Sequence, residues 1–225
     1  LTSLSTNILE VTNDSLIIKG AGTAFINITN SGNDHWQQLD TLIVLQIEKG
    51  IQLQNAPDSL VIAFSNNAFI MPLEVNSNLE IEYELNGDVL ALANGQFSTL
   101  KTGTERVRVF SNGDDNWHEF ERFVEVIVEK GKQYIEFESL PQYSFNQLGV
   151  QLNALSSSGL PIFFVLSDTT VVQMISADSL VFHTSGMVTI TATQPGNDNW
   201  FEAPSVARQL IIDKAEQSIT TALND

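Results

Sequence analysis

Asp34, Asp114, Asp115 and Asp198 lie in three look-alike pentapeptides: Gly-Asn-Asp-His-Trp (32–36), Gly-Asp-Asp-Asn-Trp (113–117) and Gly-Asn-Asp-Asn-Trp (196–200). Side-chain oxygens at that density suit a hard cation such as calcium. The closing residues, Trp36, Trp117 and Trp200, are the chain's only tryptophans, and an exposed indole suits stacking on a sugar ring. Against calcium, each loop holds one or two carboxylates and none has the alternating acid spacing of an EF-hand loop. The same residues also write a tight turn, since Gly and Asn tolerate positive φ and Asx side chains bond their own backbone. The turn is the stronger reading. No cofactor is required, and the tryptophans read as a structural hallmark.

Other chemistry is thin. His35 and His118 neighbour tryptophans and His183 falls in a strand-like run, so no metal-ligand spacing emerges. There is no Gly-x-Ser-x-Gly elbow and no phosphate-binding glycine loop. Glu119 and Glu121 share one face of a strand, the usual solvated edge. Nothing in the pattern argues for an enzyme. A different pattern is Asp-Ser/Thr before an aliphatic residue or Thr, at Asp14-Ser15, Asp40-Thr41, Asp58-Ser59, Asp168-Thr169 and Asp178-Ser179. It resembles the O-glycosylation signal of exported Bacteroidota proteins, which implies Ser15, Thr41, Ser59, Thr169 and Ser179 as acceptors. Ordinary turn chemistry before a strand produces the same pairs. Asn13 and Asn27 begin N-linked sequons, which matter only in a eukaryotic or archaeal setting.

The elements that carry these turns are periodic. Trp36 to Trp117 is 81 residues and Trp117 to Trp200 is 83. After each tryptophan comes an acid-Lys-small-x-Gln segment: Glu-Lys-Gly-Ile-Gln (48–52), Glu-Lys-Gly-Lys-Gln (129–133) and Asp-Lys-Ala-Glu-Gln (213–217). Before each comes an alternating run. Val188, Ile190 and Ala192 alternate with Thr189, Thr191 and Thr193; Val107 and Val109 alternate with Arg106 and Arg108; Leu79, Ile81, Tyr83 and Leu85 alternate with Glu80, Glu82 and Glu84. Period-two alternation puts one face on a core and the other in water. The register divides the chain into residues 1–48, the second half of a repeat; 49–129, a complete and divergent repeat; 130–213, a second complete repeat; and 214–225, the start of another. A half repeat cannot bury its own core, so further residues are expected to complete the first one. In the third repeat, strands are expected near 132–138, 147–154, 161–166, 171–175, 178–183, 186–193 and 205–212, the rhythm of an immunoglobulin-like sandwich.

Bulk composition bounds the partners. Of 225 residues, 43% are hydrophobic, enough for real cores. The 27 acidic against 10 basic residues leave a net charge of −17, which repels nucleic acid. Cysteine is absent, which removes disulfides and thiolate sites. No apolar run approaches the ~18 residues of a membrane helix, so no membrane insertion by this segment is expected. The chain opens on Leu1 with no signal peptide, which suggests a processed product or an excerpt.

The wording of residues 152–219 is specific. "SSGLP" (157–161), a Ser/Asp-rich turn, "GMVTITA" (186–192), "GNDNW" (196–200), an Ala-Pro pair and "DKAEQSI" (213–219) follow in order. This resembles the Ig-like repeats of giant secreted and surface proteins, especially of Bacteroidota. Residues 4–48 fit the pattern too, whereas the second repeat has "NSNLEIEYEL" (76–85) where "SSGLP" stands in the third. The resemblance implies an all-β chain of tandem immunoglobulin-like β-sandwiches, an extracellular or cell-surface location, and a structural or adhesive role of the gliding or attachment type exported by type 9 secretion. Neighbouring repeats are the implied partners. Two alternatives stay open. One is a binding module for a glycan or protein, sought in Phe64, Phe69, Phe97, Arg106 and Arg108 of the second repeat. The other is a segment of a filament or secretion-system cargo. Burial of those aromatics favours a stalk; exposure on one face favours binding.

Overall fold

A computed structural model describes residues 1–13, 15–52 and 54–218. The architecture is all-β, and among the described residues the one helical piece is a 3-10 turn at Phe145–Gln147. The chain divides into two compact units. One gathers residues 1–60, 69–97 and 104–127; the other gathers 61–68, 98–103 and everything from Val128 onward. The proposed opening of a further repeat, 214–225, is described only as far as Ser218, and Asp14 of the Asp14-Ser15 pair lies outside the described residues.

The second unit shows the full sandwich. Its main sheet runs in the order Tyr143–Ser144, Ala203–Asp213, Gly186–Gln194, Phe163–Leu166, and the opposing sheet in the order Gly149–Gln151, Ser179–Phe182, Val172–Met174. The alternation explains why. Val188, Ile190 and Ala192 face inward and are buried, alongside Leu210 and Ile212 from the partner strand and Val172, Leu180 and Phe182 from the other sheet. Two sheets sharing one such core form an immunoglobulin-like β-sandwich.

All seven expected strands of the third repeat are present, with two refinements. The run expected at 147–154 is two strands: Gly149–Gln151 pairs with Ser179–Phe182, whereas Ala154–Ser156 pairs with Ile135–Phe137. Leu152 marks the crossing, buried between the two pairings with its N–H on the Asp178 carbonyl oxygen. Tyr143–Ser144 is an added strand, parallel to Ala203–Asp213 through Tyr143↔Ile212. Two residues are too few to register a period.

The first unit repeats the plan. Gly22–Asn30 and Leu39–Ile47 form a nine-residue antiparallel hairpin, with Thr2–Ser3 beside the first strand and a Leu9–Thr12/Ser15–Ile18 hairpin opposite. Leu9, Ala24 and Ile26 make its small core. In the next repeat, Gly103–Ser111 and Phe120–Glu129 are the matching long strands, in a sheet that places Ser59–Ala63 outside the second and Glu82–Glu84 outside the first. Val107, Val109, Val124 and Val126 are fully buried there, around Phe97, which stacks on Phe69 and meets Tyr83 edge-on. Burial in that cluster raises the Tyr83 pKa above its ordinary value.

One inward position breaks the apolar rule. Glu105 lies two residues before Val107, on the same face of the strand, and is 4% exposed. Its carboxylate accepts N–H bonds from Gly87 at 2.8 Å, Val89 at 3.0 Å and Leu90 at 2.9 Å. In the third repeat the loop at the same place uses Asp168 instead, which accepts from the Thr170 N–H at 2.8 Å and from the Thr170 hydroxyl. In the first repeat, the Ile8 and Leu9 N–H groups go to the Ser5 carbonyl oxygen. One N–H, that of Ile8, Val89 and Val171, the last also on Asp168, is thus bonded in three ways.

Candidate functional site

The three pentapeptides occupy the loop between the two long strands of each repeat. Their backbone is the same each time. Gly32, Gly113 and Gly196 sit at φ of 70°, 69° and 77°, where a Cβ would strike the carbonyl oxygen of the following tryptophan. Asn33, Asp114 and Asn197 then accept two main-chain N–H bonds each through the side-chain oxygen: from His35 and Trp36, from Asn116 and Trp117, and from Asn199 and Trp200, all at 2.8–3.0 Å. This is Asx-turn chemistry, and an amide performs it as well as a carboxylate does. Asp114, one of the calcium candidates, is engaged this way. Asp34, Asp115 and Asp198 are exposed or half-exposed in separate turns. Among the described residues, no three His, Cys, Asp or Glu side chains gather as a metal-holding group.

What the turns do hold is the acid-Lys-Gly-x-Gln segment. In the first unit, Lys49 Nζ donates to the Asp114 carbonyl oxygen, the Gly50 N–H to the Asn116 carbonyl oxygen at 2.8 Å, and the His118 N–H to the Gly50 carbonyl oxygen at 2.9 Å. Gln52 Nε2 donates to the His118 carbonyl oxygen at 2.7 Å, and Ser77 Oγ donates back to Gln52 Oε1 at 2.6 Å. The Trp117 ring lies flat on Gly50, so a Cβ there would meet the indole at 2.8 Å.

The second unit makes the same set. Lys130 Nζ reaches the Asn197 carbonyl oxygen, the Gly131 N–H reaches that of Asn199, and the Phe201 N–H reaches that of Gly131. Gln133 Nε2 bonds the Phe201 carbonyl oxygen at 2.7 Å and Gln194 Oε1 at 2.8 Å, while Ser158 Oγ donates to Gln133 Oε1. Trp200 covers Gly131 as Trp117 covers Gly50.

Each clamp also grips the segment before it. Asn116 Oδ1 accepts the Ala21 N–H at 2.8 Å, and Asn199 Oδ1 accepts the Thr102 N–H at 2.9 Å. Phe64 adds an edge-on contact to Trp200, with ring centroids 5.3 Å apart. Sequence reading found both motifs and their spacing but missed that they touch. It also missed Ser77 and Ser158, which occupy one position in "NSNLE" and "SSGLP". Gln133 and Gln52 are buried polar groups whose partners are all supplied locally. Gln133→Leu keeps the volume but takes the side-chain donor from the Phe201 carbonyl and one bond each from Ser158 and Gln194, which keep others. It is expected to cost about 2–4 kcal/mol in a denaturant titration, more than Gln52→Leu, which has fewer partners.

The remaining sequence candidates scatter. Trp117 and Trp200 are half-buried in their clamps, but Trp36 is 76% exposed. Phe97 and Phe69 belong to the core cluster and Phe64 to the clamp. Arg108 is held between Glu121 and Glu84, each at 3.0 Å, over the Phe110 ring, and those bonds raise its pKa further. Arg106 lies over Phe123. Ser15, Thr41, Ser59 and Thr169 are exposed. Ser179 is half-buried and donates to Asp178, whose pKa is lowered by bonds from Gln151, Ser176 and Ser179. Thr170 lowers the Asp168 pKa in the same way. What these carboxylates contribute is therefore present above the unfolded-state pKa and is lost as pH falls through the lowered native one.

No family model matches the chain, and no curated protein does. Solved structures with partial likeness exist. Drosophila N-cadherin EC1-4 matches at 13% identity over 95% of this chain, with a TM-score of 0.31; the chain spans 65% of that fragment. Human mucin-like protocadherin EC1-2 matches at 11% identity over 73% of this chain and 98% of its own, with a TM-score of 0.32. Fibronectin(III)-like modules of Clostridium thermocellum CbhA match at 10% identity over 77% of this chain and 100% of theirs, with a TM-score of 0.31. Likeness this loose assigns neither family nor function. Among the described residues, no helix is long and apolar enough to cross a membrane.

Proposed function

We propose that the chain is a spacer segment of a longer repetitive cell-surface or secreted protein of the adhesin type. Its repeats run 49–129 and 130–213, and the tryptophan clamps lock each repeat to the segment before it. The observation that carries this is the duplicated bond to the preceding segment, Asn116 on Ala21 and Asn199 on Thr102, made by turns that Lys49-Gly50-Gln52 and Lys130-Gly131-Gln133 hold within each repeat. The same bond made by the same turn in successive repeats suits a structural role, as in repeat arrays whose units contact their sequence neighbours. The acidic surface suits a protein that remains dispersed outside the cell.

Packing of Phe69, Phe97 and Phe64, together with the neutralised Arg108, supports a spacer over a glycan-gripping second repeat. A glycan array probed with the purified chain tests the reading. No retained glycan is expected. A glycan whose capture is lost in Phe64→Ala or Arg106→Ala, with folding intact by circular dichroism, would replace the spacer by a binding module.

A further inference from the structure

Trp36 stands in the same turn as Trp117 and Trp200, yet no described residue covers it. The Asn33 side chain ties the His35 and Trp36 N–H groups at 2.9 and 3.0 Å, and Gly32 holds the left-handed corner. The turn is therefore formed before any partner arrives. In the other two turns, four main-chain groups are taken by a Lys-Gly-x-Gln segment: the carbonyls at the positions of Asn33, His35 and Gln37 and the N–H at Gln37. Among the described residues, nothing bonds the His35 carbonyl oxygen or the Gln37 main chain.

The strand that leaves this turn is open as well. Among the described residues, Leu39–Ile47 pairs only with Gly22–Asn30 and ends its sheet, whereas Phe120–Glu129 and Ala203–Asp213 each carry a further strand on that side. Leu39, Leu42 and Val44 on it are 51–57% exposed. A nine-residue apolar edge beside a preformed turn is a template for strand addition.

The geometry points to an acceptor site. The Trp36 turn binds an extended acid-Lys-Gly-x-Gln segment that opens an immunoglobulin-like half repeat, and residues following that segment pair with the Leu39–Ile47 edge, as Ser59–Ala63 pairs with Phe120–Glu129 and Tyr143–Ser144 with Ala203–Asp213. Lys would reach the Asn33 carbonyl, Gly would lie under the Trp36 indole, and Gln would meet the Gln37 carbonyl, as in the two filled clamps. Glycine matters because a Cβ at Gly50 would stand 2.8 Å from the Trp117 ring. This also disfavours the C-terminal Asp213–Gln217 segment of a second copy, which has Ala215 in that place. The proposal rests on the spacer reading but concerns a separate surface.

The test uses the full chain labelled with fluorotryptophan, its Trp36 signal assigned by Trp36→Phe. The probe is a synthetic peptide of the chain's own residues 129–163, added in trans and, in a second arm, fused ahead of Leu1 to remove the entropy of association. The expected result is a shift of the Trp36 fluorine signal alone, with solvent protection matching Trp117 and Trp200. Gly131→Val in the probe should weaken binding by about tenfold or more. A fused chain whose Trp36 remains as solvent-exposed as in the unfused one overturns the proposal. So does protection of Trp36 by self-association of the unmodified chain, which would assign the surface to a second copy, or by a glycan, which would assign it to sugar. A glycan captured through Phe64 or Arg106 would sink the spacer reading without changing the Trp36 signal, so the two readings fail separately.

Discussion

Gly131→Val is expected to destabilise the third repeat by about 3 kcal/mol or more. The new Cβ would stand on the Phe64 carbonyl oxygen and 2.7 Å from the face of the Trp200 indole. Neither obstacle is the free end of a flexible side chain. One is main chain, and the other is a ring held by its own turn and by the edge of Phe64. Relief requires the Trp200 turn to lift, and that breaks the Gly131 N–H bond to Asn199 and the Phe201 N–H bond to Gly131 together. In a urea titration followed by tryptophan emission, the transition reported by Trp200 should move to lower urea by roughly 1 M or more with its slope unchanged. Gly50→Val should do less, since its Cβ meets only the Trp117 ring and no backbone oxygen. Gly95→Asn is the control: φ is 74° there, which Asn tolerates, and a Cβ meets nothing. A wild-type midpoint for Gly131→Val would show that the indole and the glycine do not hold the clamp.

This clamp shows where sequence reading stops. The period, the Asx turn and the inward face of each long strand follow from local rules, because turn chemistry and period-two alternation are properties of neighbouring residues. The pairing of Lys49-Gly50-Gln52 with Trp117 joins segments more than sixty residues apart, and no local rule links them. Recurrence at fixed spacing shows only that both motifs belong to every repeat. Small units resisted for another reason. Tyr143–Ser144 is too short to have a period, and Leu152 sits where the chain leaves one sheet for the other, so a single apolar run hid two strands. Glu105 was legible in principle: counting back by two from Val109 and Val107 puts it on the core face. What it does there depends on the loop at Gly87, which lies across the sandwich in a divergent stretch.

That loop carries the second large prediction. The Val89 and Leu90 N–H groups are bound by Glu105, whereas in the third repeat Asp168, from within its own loop, takes the N–H groups of Thr170 and of Val171, which stands where Val89 does. The position matching Asp168 is Gly87, and the position matching Glu105 is Val188. The two repeats have exchanged which element supplies the carboxylate. Gly87 has to be small while Glu105 is present, since a Cβ on it would lie 2.7 Å from the Glu105 carboxyl carbon. Glu105→Val alone leaves three N–H groups without an acceptor, two of them on buried residues, and is expected to cost about 3–5 kcal/mol. Gly87→Asp alone crowds a second carboxylate against the first and is expected to destabilise as well. Combined, they install the third repeat's arrangement: the aspartate caps the loop from inside, and the valine fills the vacated core. The pair should therefore be more stable than the sum of the singles by about 2–3 kcal/mol, the range of coupling between contacting groups. A full double-mutant cycle in urea measures it. Simple additivity would mean that Glu105 does not replace the missing loop carboxylate. Coupling of the expected sign would trace this part of the second repeat's divergence to a compensated exchange within the fold, with no ligand needed to explain it.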